Sequence, residues 1–259
     1  MESTAYTGST RWNELVVNKI SLAEPFEWLS KGWKDMRDAG RYSITYAAVI
    51  VLISGLLTLG MVVTDNLFLL TFLVAGFFLV APVIGLGLYQ MSAHLERGEP
   101  LESCNALEAW KRNQGQISMV TGGFFIIMQL WIAVNFVLFA LLYAGISPPL
   151  ENFFSKLFLS EEGRVFAIAS VSVGFGFAWC AYAISAVTVP MLLDRKVDGF
   201  TAIRISIKAV LKNMPAMMLW AFLIVLIVGL GLLTVYVGLL VALPQIGHGT
   251  WHAYRALVP

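Results

Sequence analysis

The sequence predicts an all-α membrane protein with six transmembrane helices in three hairpins, each hairpin preceded by an amphipathic interfacial helix. Three observations lead to this fold class. The 259-residue chain is 58 % hydrophobic and 13 % charged, whereas charged residues make up about a quarter of a soluble domain. Its uncharged stretches are long enough to cross a bilayer, and a pattern of amphipathic segment, span and proline-bearing span occurs three times. Five spans remain the alternative, because the last apolar stretch also fits one long bent helix.

The amino-terminal part predicts a tail and then an interfacial helix. Residues 1–23 are mostly polar and predict an extended cytoplasmic tail, and residues 24–259 then form a single polytopic domain. In the segment PFEWLSKGWKDMRDAG, four apolar side chains share one helical face: Phe26, Leu29, Trp33 and Met36. Pro25 suits a first helical turn and Gly40 suits a stop. We interpret this helix as a collar in the membrane interface, with membrane-surface recognition as the alternative.

Uncharged runs then predict three spans. The first covers Tyr42–Thr64, the second runs from Leu67 to about Met91, and the third from about Ile117 to Gly145. The polar segment between the second and third spans provides a second interfacial face, which includes Trp110. Gln129 and Asn135 lie inside the third span, where we predict hydrogen bonds to neighbouring helices.

The fourth span, Val165–Leu193, has no charged residue, and a helix of this length extends over about 40 Å. Two series of small residues recur in it at four-residue intervals: Ser170, Gly174 and Ala178, and Ser172, Gly176 and Cys180. Small residues let neighbouring helices approach closely in lipid, which supplies no hydrophobic driving force between them. We therefore predict that this helix is the packed centre of the bundle.

A third amphipathic segment and a last apolar stretch complete the chain. The basic face of the segment, Arg204, Lys208 and Lys212, predicts contact with anionic lipid headgroups. No formally charged residue then occurs before Arg255, which leaves room for two spans with a turn near Gly229 and Gly231. The second arm of each hairpin carries a proline that predicts a kink: Pro82, Pro190 and Pro244.

Charged and aromatic residues predict the orientation. Most of the 17 lysine and arginine residues lie before the first span, between the second and third, and between the fourth and fifth. By the positive-inside rule these segments and the amino terminus are cytoplasmic. Six residues are predicted interfacial anchors: Trp28, Trp33, Trp110, Trp251, Tyr254 and Arg255.

The sequence contains few signals of catalysis, ion coupling or metal binding. There is no GxSxG, HExxH, Walker or dinucleotide-binding motif, and no Asp, Glu, Lys or Arg within a predicted span, which argues against a proton-coupled pump. The net charge of +1 argues against nucleic-acid binding. His248 and His252 share a helical face with the spacing of two metal ligands, but no third ligand is evident. We expect an interface anchor there, with metal or haem ligation as the alternative, and predict no catalytic residues and no cofactor.

Four segments resemble a family of bacterial predicted integral membrane proteins of unknown function: WLSKGWKDM, APVIGLGLYQMSAHLERGE, ISAVTVPMLLDR and LPQIGHGTWHAYRALV. The resemblance implies a bacterial inner-membrane location. Some members are labelled as similar to cytochrome c oxidase subunit I, which implies a respiratory connection. Three histidines are too few for the haem–copper subunit itself.

Two functions are compatible with these observations. The first is a non-catalytic accessory or assembly subunit that packs against membrane lipids and a larger membrane complex, which the resemblance implies is respiratory. The second is a small permease or lipid-handling protein for a neutral or amphiphilic substrate. The first predicts little internal cavity, and the second predicts a cavity between the hairpins.

Overall fold

The computed structural model describes residues 16–65, 77, 81–101, 110–111, 113–142 and 159–259. Within these residues the chain is helical and contains no strand. The helices, numbered in chain order, are α1 (Glu24–Ala39), α2 (Arg41–Val63), α3 (Leu86–Arg97), α4 (Gln114–Leu142), α5 (Glu161–Ser185), α6 (Thr188–Asp194), α7 (Gly199–Lys212), α8 (Met214–Leu233) and α9 (Leu239–Leu257).

Four of the described helices are long and apolar enough to cross a membrane. They are Arg41–Val63, Gln114–Leu142, Gly163–Asp194, which joins α5 to α6, and Met214–Leu233. The first three match the first, third and fourth predicted spans to within a few residues, so a multi-pass helical protein is confirmed. About half of the predicted second span, residues 67–76 and 78–80, lies outside the described residues, as do residues 102–109 and 112 of the interfacial segment that follows it.

The packed centre is α9 rather than the fourth span. Helix α9 packs against α1, α2, α3, α6 and α8, whereas α5 packs mainly against α4 and α7. Four large aromatic side chains fill the core around α9: Trp28, Trp220, Trp251 and Tyr254. The prediction of a packed central helix at Val165–Leu193 was therefore wrong. An uncharged helix suits lipid as well as protein, so its apolar sequence does not indicate how many neighbours it has.

The last apolar stretch forms two helices, which overturns the alternative of a single bent helix. Helices α8 and α9 pack together and are joined by residues 234–238, slightly later than the turn predicted at Gly229 and Gly231. Gly231 lies at the crossing, where an added Cβ would come within 2.8 Å of the Leu239 side chain. At the same end, the hydroxyls of Thr58 and Tyr236 are 2.7 Å apart, which ties this turn to α2.

The helix break between α5 and α6 follows from Pro190. Proline has no backbone N–H to donate to the carbonyl four residues earlier, and the regular helix is interrupted at Ala186 and Val187. Ser206 of α7 satisfies the opened backbone, because its hydroxyl accepts from Val187 N at 3.1 Å and donates to Ala183 O at 2.8 Å. Pro244 lies inside α9, and Pro82 lies in the helical turn just before an interruption at Gly85.

The end of the predicted tail belongs to the folded body. Val17 is buried, Asn18 donates to Ala256 O at 3.0 Å, and the Asn213 carboxamide oxygen accepts from Ile20 N at 2.9 Å. These bonds hold residues 17–20 against the carboxyl end of α9 and the start of α8.

Candidate functional site at the junction of α1, α3, α6 and α9

The four segments that carry the family resemblance meet at one end of the bundle. The first lies in α1, the second ends in α3, the third ends in α6, and the fourth forms most of α9. These helices contact α9 or one another at the end where α2 begins and α9 finishes. We call this region the polar junction, and it contains two hydrogen-bonded clusters.

The first cluster, here the histidine network, consists of Ser43, His248, Ser92, Asp35 and His252. The Ser43 hydroxyl is 2.7 Å from His248 Nε2, and the Ser92 hydroxyl is 2.7 Å from His248 Nδ1. Ser92 donates to Asp35 Oδ2 at 2.7 Å, and His252 Nε2 lies 2.8 Å from the same oxygen. The network joins α1, α2, α3 and α9, and Ser43 and His248 are fully buried.

The proton positions in this network follow from donor and acceptor chemistry. A carboxylate only accepts, so Ser92 and His252 both donate to Asp35. The single Ser92 hydrogen is then used, and His248 Nδ1 must donate to the Ser92 oxygen. A neutral His248 therefore accepts at Nε2 from the Ser43 hydroxyl. In the series Ser43, His248 and Ser92, each group donates a hydrogen to the next one, and Asp35 is the final acceptor. With this tautomer, both ring nitrogens of His248 are satisfied without a metal.

The environment of Asp35 keeps its carboxyl group ionised. Burial on its own raises the pKa of an acid, but the hydrogen bonds from His252 and Ser92 and the nearby histidine charge outweigh it. The pKa of Asp35 therefore lies below its ordinary value of 3.8. A charged carboxylate inside a protein needs such partners, because an unpaired buried charge is strongly destabilising.

The second cluster, here the carboxylate cluster, joins α3, α6 and α9. Glu96 accepts from Trp251 Nε1 and from Arg255 Nε, each at 3.0 Å. Asp194 accepts from the Tyr254 hydroxyl at 2.6 Å and lies 3.6 Å from Arg255 Nη1. Arg255 thus contacts carboxylates on two helices, which fixes α3 and α6 to the end of α9.

Close backbone contact brings α1 into the junction. An added Cβ at Gly32 would lie 2.5 Å from Gln245 O and 2.6 Å from Gly249 N, both backbone atoms of α9. The Trp28 ring packs edge-on against Trp220 with 5.5 Å between ring centres. Only glycine at position 32 permits this approach, and the approach places Asp35 beside His252.

Comparison with known proteins agrees with the membrane character of the chain. Residues 69–194 match the family described as predicted integral membrane protein (DUF2189). This match confirms the resemblance drawn from the four segments. No curated protein matches this chain, and no solved structure matches it.

The DUF2189 match covers only part of the polar junction. It includes Ser92, Glu96 and Asp194, while Asp35 and His248 lie outside it. The two outer segments nevertheless contact the matched ones through the histidine network and the carboxylate cluster. The junction therefore unites the matched residues with both ends of the chain.

Several predicted anchors lie in the protein interior. Trp28, Trp251 and Tyr254 are almost fully buried in the polar junction, which corrects their assignment as lipid anchors. Arg255 is engaged by Glu96 and Asp194. Trp33 is 40 % exposed and Trp110 is partly buried. Amphipathic patterning does not distinguish a helix face that meets lipid from one that meets another helix.

The structure separates the small residues of the fourth span into two groups. Ser170 and Gly174 are partly buried, and an added Cβ at Gly174 would lie 3.4 Å from Trp131 Nε1 of α4. Ser172, Gly176, Ala178 and Cys180 are exposed, and a Cβ at Gly176 would meet nothing within 4 Å. His248 and His252, for which metal ligation was the alternative, bond to serine and aspartate side chains.

Sequence reasoning identified only the α9 side of the polar junction. It singled out His248 and His252 by their spacing and Trp251, Tyr254 and Arg255 as anchors, but it assigned no role to Asp35, Ser92, Glu96 or Asp194. Ser43 carries no signal of its own in the sequence. The hydrogen bonds between helices in the two clusters join residues 57 to 217 positions apart, so a local pattern does not reveal the partners.

Proposed function

We propose that this protein is a non-catalytic accessory or assembly subunit of a larger membrane complex in the bacterial inner membrane. The observation that carries the proposal is the outer face of the α4–α5 hairpin. Among the described residues, these two helices contact each other, α7 and a few residues of α6, and most of their remaining length is exposed. The resemblance suggests a respiratory complex as the partner.

The outer face of α5 has the chemistry of a helix-docking surface. Ser172, Gly176 and Cys180 lie on it at four-residue spacing, and all three are exposed. The Ser172 hydroxyl donates to Ile168 O of its own helix at 2.8 Å, so a partner helix would not leave it unpaired. Small side chains here permit a partner backbone to approach closely.

The polar junction supports a structural rather than a catalytic role for its histidines. Both ring nitrogens of His248 are paired, and Ser43 and Ser92 are almost completely buried. A substrate would have to displace these internal bonds before reaching either hydroxyl. The network therefore acts as a clamp between helices, much as buried polar networks specify one packing arrangement.

The proposed topology has six spans in three hairpins, with the amino terminus in the cytoplasm. The separate helices α8 and α9 support six arms rather than five. In this arrangement α9 is the sixth span, and the polar junction lies at the cytoplasmic ends. The exposed basic residues Arg204 and Lys208 of α7 support this orientation.

A permease or lipid-handling function is the second candidate. The helix interruptions at Gly85 and at Ala186 favour it, because broken helices line substrate sites in transporters. The two surface grooves found among the described residues, however, are open on the outside of the bundle and do not form a chamber between hairpins.

A pull-down from native membranes in mild detergent tests the proposal. Tagged wild-type protein should recover other membrane subunits at near-equimolar ratio, measured by quantitative mass spectrometry. Gly176→Leu should lose these subunits, while Gly229→Leu, at another glycine with open space around it, should keep them. Recovery of wild-type protein alone, together with substrate flux after reconstitution, would overturn the proposal in favour of the permease.

A further inference from the structure

The amino-terminal half of α4 and the start of α7 border an apolar groove of about 440 Å³. Its wall on α4 includes Gly122 and Gly123, and an added Cβ at either glycine would meet nothing within 4 Å. Phe200 and Ile203 of α7 form the opposite wall, and Phe200 is 71 % exposed. These two adjacent glycines have no side chains and therefore leave open space on this face of α4.

The groove has a defined depth, because α7 is fixed to the first turn of α4. Gly199 N donates to the Gln116 side-chain oxygen at 2.8 Å. The groove begins at Ser118 and extends to Ile127, so it covers the second to fourth turns of α4. At about 1.5 Å per residue, it runs from about 6 Å to about 20 Å along α4. This length is close to the thickness of the hydrocarbon layer of one leaflet, about 15 Å.

Two cationic side chains lie on α7 just after the residues that line the groove. Arg204 and Lys208 are four and eight residues after Phe200, which places them on the same helix face, and both are exposed. Neither makes a hydrogen bond or ion pair with another described residue. Lys212 continues the series, but its ammonium donates to Val17 O at 2.6 Å. The nearby carboxylate Asp198 caps α7 by accepting from Thr201 N at 2.9 Å.

We propose that this groove binds one anionic diacyl phospholipid, with an acyl chain against Gly122 and Gly123 and the phosphate on Arg204 and Lys208. The apolar walls suit the chain, and the two cations select a negative headgroup over a zwitterionic one. Lys212 is left out of this site, because it lies furthest along α7 from Phe200 and its ammonium donates to Val17 O. The site does not depend on the accessory role, since it requires only that the chain lies in a membrane.

Photo-crosslinking of the wild-type protein tests the location of the site. Phosphatidylglycerol with a diazirine in its acyl chain is incorporated with the purified protein into nanodiscs, and the modified peptides are mapped. We expect labelling concentrated in residues 118–127 and 200–203, and weaker labelling there by the matched phosphatidylcholine. Equal labelling of the exposed faces of α2 and α8 would overturn the proposal.

Lipid titration by native mass spectrometry tests the two halves of the site separately. Replacing both cations, Arg204→Gln with Lys208→Gln, should weaken phosphatidylglycerol binding by about 25-fold, or about fivefold for each charge, and leave phosphatidylcholine binding unchanged. Lys212→Gln is the matched control and should have no effect on either lipid. An equal loss with Lys212→Gln would indicate diffuse attraction and overturn the site.

Filling the groove should remove binding of both lipids. Gly122→Leu places a side chain in the acyl position, while Gly229→Leu adds the same group at another open glycine, on α8. Unchanged lipid binding by Gly122→Leu would contradict the proposal. Because the wild-type crosslinking needs no variant, the proposal stays testable if Gly122→Leu does not fold. Loss of the lipid site with normal partner recovery, or the reverse, would separate this inference from the accessory role.

Discussion

The polar junction and the α4–α5 hairpin both lie in apolar sequence, but their polar side chains make different kinds of bond. In the histidine network, hydrogen bonds join separate helices, as between Ser92 and Asp35. In the middle of α4, two polar side chains bond to their own helix. Asn135 donates to Trp131 O at 2.9 Å, and Thr121 donates to Ile117 O at 2.8 Å.

This difference shows which region holds the fold together. Bonds between helices oppose their separation, whereas bonds within one helix survive if that helix moves away. The expectation that Asn135 links neighbouring helices was wrong for this reason, and Gln129 is exposed. The polar junction therefore fixes the body, and the hairpin is left available for lipid or a partner helix. Four predictions test or refine this contrast.

The largest effect should come from Gly32→Ala in the polar junction. The added methyl group would meet backbone atoms of α9 at 2.5 and 2.6 Å, and backbone cannot move aside as a side chain can. We expect a loss of about 3 kcal/mol of stability, measured by thermal unfolding in detergent. Gly60→Ala, where nothing lies within 4 Å, should change stability by less than about 1 kcal/mol. Equal stability of the two variants would contradict the docking of α1 on α9.

The next effect should come from His248→Ala. The change leaves the buried hydroxyls of Ser43 and Ser92 without one of their partners, at a cost of about 2 kcal/mol or more. Asn135→Ala is the matched control in the hairpin and should cost less than about 0.5 kcal/mol, since it removes only a bond within one helix. Unfolding midpoints measured side by side decide the comparison, and a larger loss for Asn135→Ala would reverse it.

A smaller effect should depend on pH through Asp35. Its pKa is lower in the folded protein than the ordinary value of 3.8, so its bonds stabilise the fold above that value and the stabilisation is lost as pH falls through the folded pKa. The wild-type protein should therefore lose more stability than Asp35→Asn between pH 5 and pH 3. Thermal unfolding over this range measures the difference. Parallel curves would show that the carboxylate is not paired as described.

The smallest effects should separate the two faces of α5. Gly174→Leu pushes against Trp131 and should cost about 1 kcal/mol, whereas Gly176→Leu meets nothing and should leave stability unchanged. The same two variants can be compared in the pull-down, where only Gly176→Leu should lose partners while remaining fully folded. If Gly176→Leu instead destabilises the isolated protein, its face is an internal contact.

Some helices were predicted from the sequence more completely than others, and the reason is physical. Helix α2 was predicted to within one residue at each end, because an uncharged run beside Arg41 defines a span by itself. The amphipathic α1 was also predicted, but Trp28, which was assigned to the membrane interface, lies against Trp220 inside the protein. Lipid and the protein interior are both apolar, so the same amphipathic pattern is compatible with either environment.

The candidate site was less predictable than the fold. The spacing of His248 and His252 indicated two side chains on one helix face, and this local inference holds for α9. The partners Asp35 and Ser92 come from other helices and were not anticipated. A metal site and an anchor were considered because the sequence alone does not say which groups face a histidine.

By itself, the sequence determined the membrane character of this protein, most of its helices and the helix break near Pro190. Each of these depends on neighbours within a few turns, through hydrophobicity, helix periodicity and the missing N–H of proline. Only the tertiary structure decided that α9 is the centre, that Asp35 pairs with His252 and that Gly32 contacts α9 backbone. Those contacts join residues distant in sequence, and their energies depend on which surfaces meet.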